Sequence, residues 1–309
     1  MALTRPLMLL MALALTPAAN ASPIPANLRQ PLTINRDLVP VTTAQAEPQS
    51  DPVIPQSMGK VSESEATEDL AKAAQNPISN LISLPLQNNT IFGVGPQGER
   101  TLNVLNIQPV IPVPLSKSLL LVTRTIVPVI NQPTSPTGRQ SEFGLGDINP
   151  QFFFTPLTNS RITWGVGPTI VLPTATQDVL GQGKWSAGPA AVVVVTTKHM
   201  VFGAVGNNVW SFAGSPDRRN VNQMLVQPFI NYNLSNGWYL VSSPIITANW
   251  EAESGDEPLT LPIGGGFGRI FAIGDQKVNA SVQAFWNLVK PDGAGNWSLR
   301  AQLQFLFPR

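Results

Sequence analysis

The stretch LVQPFINYNLSNGWYLVSSPIITANW, residues 225–250, predicts two long β-strands joined by a tight turn. Apolar and polar residues alternate on both sides of the turn at 235–237, as in strands that have one apolar face. Each strand nevertheless carries a proline near its middle, Pro228 and Pro244. Because proline has no N–H for the strand ladder and is confined to edges and bulges, the prolines predict weakened pairing at one height of this hairpin.

The register of the hairpin follows from its apolar face. If even-numbered residues of both strands share that face, cross-strand partners sum to 472, so that Leu234 pairs with Trp238 and Pro228 lies opposite Pro244. The turn is then a three-residue loop with Gly237 in the left-handed region. Further prolines stand at similar heights beside other short turns and predict a belt: Pro109 with Pro128, Pro150 with Pro168, and Pro189 without a partner in the next strand.

The N-terminus indicates export. Arg5 precedes the apolar run LMLLMALAL and a small-residue cleavage pattern at 19–21, which predicts a signal peptide over residues 1–21. The run is too short to cross a membrane as a helix. Residues 22–62 lack apolar periodicity and predict a disordered periplasmic linker, and residues 63–77 predict a short helix that ends at Pro77.

From residue 78 to residue 309 the chain consists of strand patterns separated by turn residues. The connections alternate between short turns such as SNG and long polar loops such as NQPTSPTGRQSE. The pattern predicts 12 strands, at 80–93, 101–113, 118–131, 143–156, 161–173, 185–197, 200–212, 222–234, 238–250, 258–271, 277–290 and 297–307.

An even number of long strands, with short turns at one end and long loops at the other, is typical of outer-membrane barrels. The predicted fold is therefore all-β: a transmembrane, antiparallel, up-and-down β-barrel of about 12 strands with a short N-terminal helix. Alternation alone does not say which face points outward, but export and strand length favour an apolar face toward lipid. The predicted location is the bacterial outer membrane, and the expected partners are its lipids, lipopolysaccharide and the barrel-assembly machinery.

Two tryptophans mark the ends of the second strand of the opening hairpin. Trp238 and Trp250 share the apolar parity and are twelve residues apart. This is roughly 40 Å along a strand, or about 29 Å along the membrane normal at a tilt near 45°. They are predicted to lie at the two membrane interfaces, the alternative being two ordinary core tryptophans.

Several segments resemble a known family. FGLGDINPQFFFTP, WGVGPTIVLPTAT, LGQGKWSAGPAAVV, LPIGGGFGRIF and the C-terminal WSLRAQLQFLFP are similar to the bacterial outer-membrane barrels named after phenol-degradation meta-pathway proteins. The start DLAKAAQNPISNLISLPLQNN resembles a putative-transporter subgroup sometimes mislabelled neuromedin. The resemblance covers roughly residues 65–308. It implies a barrel that passes small, often hydrophobic molecules, and it brings no catalytic motif.

Composition narrows the function classes. Without Arg5 the chain has 18 basic and 18 acidic residues and no cysteine, which disfavours a nucleic-acid partner and excludes disulfides. The only histidine, His199, falls in a short turn without a recognisable nucleophile, so no enzyme activity is expected. No metal or cofactor is expected: the acidic loop EAESGDE at 251–257 lacks the spacing of a calcium loop and is interpreted as solvated.

The predicted interior is polar and mostly neutral. An unpaired arginine facing lipid costs roughly 2–4 kcal/mol near the membrane midplane, so Arg124 and Arg300 should both point inward. The candidate lumen residues are Arg124, Gln151, Gln227, Asn279, Gln283, Arg300, Gln302 and Gln304. A strand stretch without side chains, Gly264, Gly265, Gly266 and Gly268, is the predicted docking site for the N-terminal helix.

Two functions remain open from the sequence. The first is passive passage of small, uncharged or hydrophobic molecules. The second is a structural or adhesive barrel whose lumen is filled and whose long loops bind a partner. Barrels of twelve strands lie between eight-stranded barrels filled by side chains and sixteen-stranded barrels with a water channel, so strand number does not decide between them.

Overall fold

A computed structural model describes residues 68–133, 140–158 and 160–308. The predicted signal peptide over 1–21, the linker over 22–62 and the first residues of the predicted helix, 63–67, lie outside the described residues. Helix α1 covers residues 68–75. None of the described helices is long and apolar enough to cross a membrane.

The remainder is almost entirely strand. The segments are β1 Ile82–Val94, β2 Arg100–Ile107, β3 Val110–Pro114, β4 Leu119–Pro133, β5 Ser141–Leu145, β6 Asn149–Pro156, β7 Ile162–Val171, β8 Lys184–Thr196, β9 Met200–Gly214, β10 Asn222–Asn233, β11 Trp238–Ser242, β12 Ile246–Asn249, β13 Leu259–Ile273, β14 Gln276–Val289 and β15 Trp297–Phe307.

These 15 segments form 12 spans, because three spans are each interrupted once, between β2 and β3, between β5 and β6, and between β11 and β12. All spans pair antiparallel with their neighbours in sequence, and β15 pairs with β1. The sheet therefore closes into a 12-strand antiparallel barrel, as the sequence predicted. Closure leaves no unpaired sheet edge.

The connections separate by length at the two ends of the barrel. Short connections join β3 to β4, β6 to β7, β8 to β9, β10 to β11 and β13 to β14, and their end is called the short-turn rim. The longer connections lie at the opposite end, the long-loop rim. The longest described one joins β7 to β8 and contains a short 3₁₀ turn at Asp178–Leu180.

The opening hairpin has the predicted register. Ile230 pairs with Ser242 and Val226 with Ile246, and the residue numbers of each pair sum to 472. Gly237 adopts φ 75°, and the preceding Asn236 is also left-handed with φ 58°. The strand is interrupted at 243–245, which surround Pro244, so the loss of ladder pairing predicted from the proline is present on that strand.

Two of the other predicted proline pairs are wrong. Gln151 pairs with Thr169, which shifts the hairpin register by two residues and places Pro150 and Pro168 apart. Pro128 pairs with Asn106 rather than facing Pro109. Pro168 instead pairs with Pro189, in the strand that follows it. The errors arise because symmetry about a turn was assumed, whereas the loop conformation sets where each ladder begins.

The two faces of the barrel differ sharply. Large apolar side chains cover the outer face, among them Trp164, Trp210 and Trp286, which are 47–55% exposed. Polar side chains alternate with them and are buried in the interior, such as Gln87, Gln283 and Arg300. The barrel is therefore inverted relative to a soluble protein, with its apolar residues outside and many polar residues inside.

The interior itself has two parts. Against β3 to β9, near the short-turn rim, a dry apolar cluster contains Ile78, Val122, Phe153, Val194 and Val201. The other part is bounded mainly by β10 to β15 and β1 and reaches Gln108 and Arg124 on the facing wall; it is lined by amides and hydroxyls and also contains α1. The apolar cluster fills one part of the lumen, so any continuous polar path must follow the other.

Candidate functional site

The polar part of the interior contains two arginines from opposite ends of the chain. Arg124 lies on β4 and Arg300 on β15, and both alternate with residues of the apolar outer face. Arg124 lines the same cavity as Ser243, to which Arg300 is hydrogen-bonded. Residues Gln108, Ser243 and Gln283 surround them.

Arg124 is held at the interruption between β2 and β3. Its Nε and Nη2 atoms donate to Oε1 of Gln108 at 3.2 and 2.6 Å. Gln108 directly precedes Pro109, and its own backbone N–H donates across the wall to the carbonyl of Pro85 at 2.9 Å. The wall break thus places an amide where it can hold a guanidinium in a two-pronged contact.

Arg300 is held at the interruption between β11 and β12. Its Nη1 donates to the backbone carbonyl of Ser243 at 2.6 Å, and its Nε donates to Oδ1 of Asn89 at 2.9 Å. The guanidinium also lies 4.8 Å from the ring centroid of Phe285. Ser243 directly precedes Pro244, so each lumen arginine bonds to the residue before a proline that accompanies a strand break.

Side chains replace the missing ladder bonds at the second break. Oε1 of Gln283 accepts the backbone N–H of Ser243 at 3.1 Å and its hydroxyl at 2.9 Å. Gln227 donates to the Ser243 carbonyl at 3.4 Å. Buried backbone groups require hydrogen-bond partners. The side chains of Gln283 and Gln227 provide them for Ser243, and these bonds in turn hold the two side chains in place.

Neither lumen arginine is neutralised by a carboxylate. Among the described residues the ion pairs are Lys72 with Asp69 and Arg219 with Glu253, none of them in this region. Every described Asp and Glu is exposed except Asp147, which lies at the long-loop rim. The positive charge of the two arginines is therefore uncompensated by any described residue, and it attracts anions and repels cations over short distances in a poorly hydrated space.

The predicted lumen residues all lie on the interior side. Gln151 is buried beside Arg124, and its Oε1 has no hydrogen-bond partner among the described residues. A cavity of about 150 Å³ lies in the polar part. It is lined by six of the eight candidates, namely Arg124, Gln227, Asn279, Gln283, Gln302 and Gln304.

Three residues of this site were not among the candidates: Gln108, Ser243 and Asn89. Gln108 and Ser243 each precede a proline, and this position was the available signal, because a strand break turns backbone groups and neighbouring side chains inward. Asn89 lies within unbroken β1 and carries no comparable signal. Its role depends on the closing pair between β1 and β15, where it lies directly opposite Arg300.

Helix α1 packs inside the barrel near the short-turn rim. Leu70, Ala71 and Ala74 contact Tyr239 and Ile270 of the wall. Gln75 and Asn233 exchange two amide hydrogen bonds of 2.7 and 3.2 Å, which tie the end of the helix to the end of β10. Residues 73–77 line the polar cavity, so the helix lies between the cavity and the rim.

The described part of the helix contacts Tyr239 and Ile270 of the wall, next to the predicted glycine patch. At Gly264, Gly265, Gly266 and Gly268 the atoms nearest to an added side chain all belong to the barrel wall. At Gly268 they include the ring of Tyr239, which lies over this glycine and donates from its hydroxyl to Oδ1 of Asn279 at 2.6 Å. The missing side chain makes room for a tyrosine, and the tyrosine contacts the helix.

At the other end of the barrel, the connection between β7 and β8 folds against the wall. Asp147 accepts the backbone N–H groups of Ala175 and Gln182 at 3.1 and 2.6 Å. Arg218, from the next long loop, donates to the carbonyls of Asp178, Gly181 and Gln182. The buried Leu180 and Gln182 line a second cavity of about 470 Å³ at this mouth.

Two predicted features lie on the surface. Trp238 and Trp250 are 41% and 53% exposed on the outer face, at opposite ends of the β11–β12 span. His199 is exposed at the short-turn rim in a groove whose lining includes Arg161, Lys198 and Tyr232 but no serine. The described residues contain no group of three or more His, Cys, Asp or Glu side chains arranged to hold a metal ion.

Comparison with solved structures places the fold among outer-membrane barrels. An outer-membrane channel from Pseudomonas putida F1 matches with a TM-score of 0.56 at 14% identity, covering 74% of this chain and 95% of that one. A NanC porin matches with a TM-score of 0.48 at 8% identity, covering 73% of this chain and 100% of that one. LpxR from Salmonella typhimurium matches with a TM-score of 0.41 at 8% identity, covering 73% and 100%.

The sequence itself matches no family model, and a search of the curated proteins finds no relative. The structural likeness, at identities of 14% and below, establishes the barrel fold. The chain is a closed 12-strand antiparallel barrel that resembles bacterial outer-membrane proteins.

Proposed function

We propose that this protein is a passive channel for small solutes across the bacterial outer membrane. The observation that carries the proposal is the pair of lumen arginines, Arg124 and Arg300, in an interior whose described residues provide no carboxylate partner. A structural barrel gains nothing from burying two like charges, because unpaired buried charge is costly. A conduit for anions gains an attractive site.

The membrane placement is supported by the inverted faces. Exposed tryptophans and phenylalanines cover the outer wall, which in water would be a large aggregation-prone surface. In this placement Trp238 and Trp250 lie at the two interfaces, and the short-turn rim faces the periplasm. The likeness to an outer-membrane channel, at a TM-score of 0.56, and the sequence resemblance to the phenol-degradation family are consistent with it.

The proposed solutes are small, uncharged or anionic molecules. Amide side chains donate and accept hydrogen bonds and suit polar uncharged solutes, and the arginines add a preference for anions. The sequence alone predicted uncharged or hydrophobic solutes. The polar wall of the cavity favours polar solutes over hydrophobic ones, so hydrophobic molecules are left out of the proposed range. No enzymatic step is proposed.

Planar-bilayer recording of the purified full chain tests the proposal. In a KCl gradient we expect discrete conductance steps and a reversal potential shifted toward the equilibrium potential of chloride. Liposome swelling with small neutral sugars tests uncharged passage in parallel. Absence of both conductance and swelling in correctly folded protein would overturn the channel proposal.

The alternative is a structural or adhesive barrel with a filled lumen. One observation favours it: the apolar cluster around Val122 and Val194, together with α1, occupies much of the interior near the short-turn rim. A filled barrel passes neither ions nor sugars, so the same recordings distinguish the two functions. The expected partners of such a barrel would bind its long loops.

A further inference from the structure

Besides the two cavities described above, a concave site lies on the outside of the barrel, away from the lumen. It has a volume of about 560 Å³ and spans the outer faces of β11, β13, β14, β15 and β1. This volume is in the range of pockets that bind small molecules. The lining is Leu86, Asn88, Trp238, Phe267, Gly268, Arg269, Phe271, Ala280, Ser281, Val282, Ala301, Gln302 and Leu303.

The strand register explains the concavity. Trp238 pairs with Arg269, Arg269 with Ala280, Ala280 with Leu303 and Leu303 with Leu86, so these residues form one row across five adjacent strands. Adjacent strands are about 4.8 Å apart, and the row is therefore about 19 Å wide. Its centre is small at Ala280 and its flanks are large, which leaves a groove in the wall.

Arg269 is an unusual residue for this face. Its side chain is exposed among apolar neighbours, and its guanidinium carbon lies 5.3 Å from the ring centroid of Trp238. No hydrogen bond or ion pair joins Arg269 to another described residue. Its five N–H donors are therefore available, and the indole holds the guanidinium over one end of the groove.

The height of Arg269 fits a lipid headgroup. It lies four residues before the end of β13 at Ile273, and Ala280 lies four residues after the start of β14 at Gln276. This distance is about 14 Å along a strand, or about 10 Å along the normal at a tilt near 45°. The strands extend beyond the interface by this length in the proposed placement, because Trp238, the cross-strand partner of Arg269, marks the interface and holds the guanidinium at headgroup height.

We propose that this groove binds one anionic phospholipid of the periplasmic leaflet. Its phosphate contacts Arg269, and an acyl chain lies over Ala280 and Ala301 between Phe267 and Leu303. Guanidinium and phosphate match in charge and in hydrogen-bond geometry. Lipopolysaccharide is the other membrane anion, but it belongs to the leaflet at the long-loop rim.

The inference rests on the proposed membrane placement and does not depend on conduction. It is tested by native mass spectrometry of the delipidated full chain in detergent, titrated with phosphatidylglycerol or phosphatidylcholine. We expect one tightly retained phosphatidylglycerol and a clear preference over phosphatidylcholine. Equal retention of the two lipids would show an unselective apolar groove and overturn the proposal.

Different variants test the charge of Arg269 and the shape of the groove separately. Arg269→Gln should abolish the preference for phosphatidylglycerol, and Arg269→Lys should restore part of it. Ala301→Leu fills the groove and should reduce retention of both lipids while leaving Arg269 in place. The matched control is Arg161→Gln, which removes one positive charge from the same rim outside the groove and should bind like the wild type.

The outcomes are distinguishable from failure of the channel proposal. The lipid site is wrong, whatever the conductance, if Arg269→Gln keeps the preference for phosphatidylglycerol. It is also wrong if Arg161→Gln loses as much of that preference as Arg269→Gln does. If the wild type retains phosphatidylglycerol as expected but conducts nothing, the lipid site stands and the channel falls. Heat-modifiable migration on SDS gels establishes that each variant is folded before it is compared.

Discussion

Arg300 donates from Nη1 to the backbone carbonyl of Ser243 at 2.6 Å, at the point where Pro244 interrupts the strand. Arg124 donates instead to the side-chain Oε1 of Gln108, the residue before Pro109. In each case a gap in the barrel wall supplies the group that holds a cation in the interior. At Pro244 the interruption leaves the backbone carbonyl of Ser243 available, whereas before Pro109 it is the side chain of Gln108 that provides the acceptor.

Replacing Arg300 by Gln should reduce anion selectivity. One unit charge at about 4 Å in water-like surroundings contributes about 1 kcal/mol, attractive for an anion and repulsive for a cation, so the anion-to-cation permeability ratio should fall about thirtyfold. The reversal potential in a KCl gradient measures this ratio. Arg124→Gln should act in the same direction.

The matched control for these variants is Arg219→Gln, which removes an arginine from an exposed loop where it pairs with Glu253. Its selectivity should equal that of the wild type. An unchanged reversal potential in both lumen variants would contradict the assignment of the arginines to the solute path.

Gln283→Leu should destabilise the barrel at the second wall break. The substitution removes the acceptor of both the N–H and the hydroxyl of Ser243, and a buried polar group left without a partner costs about 1–3 kcal/mol. The free energy of unfolding in urea measures this loss. Gln302→Leu is the control, because Gln302 lines the same cavity but makes no hydrogen bond to a described residue, and it should be near neutral.

Ala71→Glu should release helix α1 from the lumen. Ala71 is buried against Tyr239 and Ile270, and a carboxylate there would be desolvated without a partner. We expect a higher single-channel conductance than in the wild type, as also expected from deleting residues 22–76.

Lys72→Glu introduces the same side chain at the next position, which is partly exposed and pairs with Asp69, and should leave the helix docked. Unchanged conductance in both Ala71→Glu and the deletion would show that the helix does not obstruct the path.

Arg218→Ala should widen the long-loop mouth. Arg218 donates to three backbone carbonyls of the loop between β7 and β8, and its removal leaves that loop held by Asp147, Thr174 and Thr176 alone on the β5–β6 side. Liposome swelling should then admit larger sugars. Arg219→Ala removes the neighbouring exposed arginine and should keep the wild-type size limit; a shift in both variants would indicate a general loop effect.

Much of the fold could be predicted from local pattern. Alternation in the stretch 225–250 predicted the hairpin and its register of 472, because one apolar face permits only one pairing in which both strands agree. Alternating loop lengths predicted twelve spans. The paired prolines 150 with 168 and 109 with 128 were wrong, since loop conformation shifts the first of these registers by two residues and the second by three.

The candidate site was harder to predict from the sequence than the fold. Gln283 and Arg300 could be named from their parity, and Arg124, whose strand is apolar on both faces, from the cost of placing an arginine toward lipid. Their partners could not. Arg300 is bonded to Asn89, which is 211 residues away in sequence, and only closure of the barrel between β1 and β15 brings the two together.

By itself, then, the sequence determined the strand count, the alternation of faces and the positions where proline weakens the ladder, because these depend on neighbours within one or two strands. Tertiary structure decided which part of the interior is dry and which is polar, where the helix docks, and which backbone groups hold the arginines. Those outcomes depend on strands that meet only across the closed barrel, and no local period encodes them.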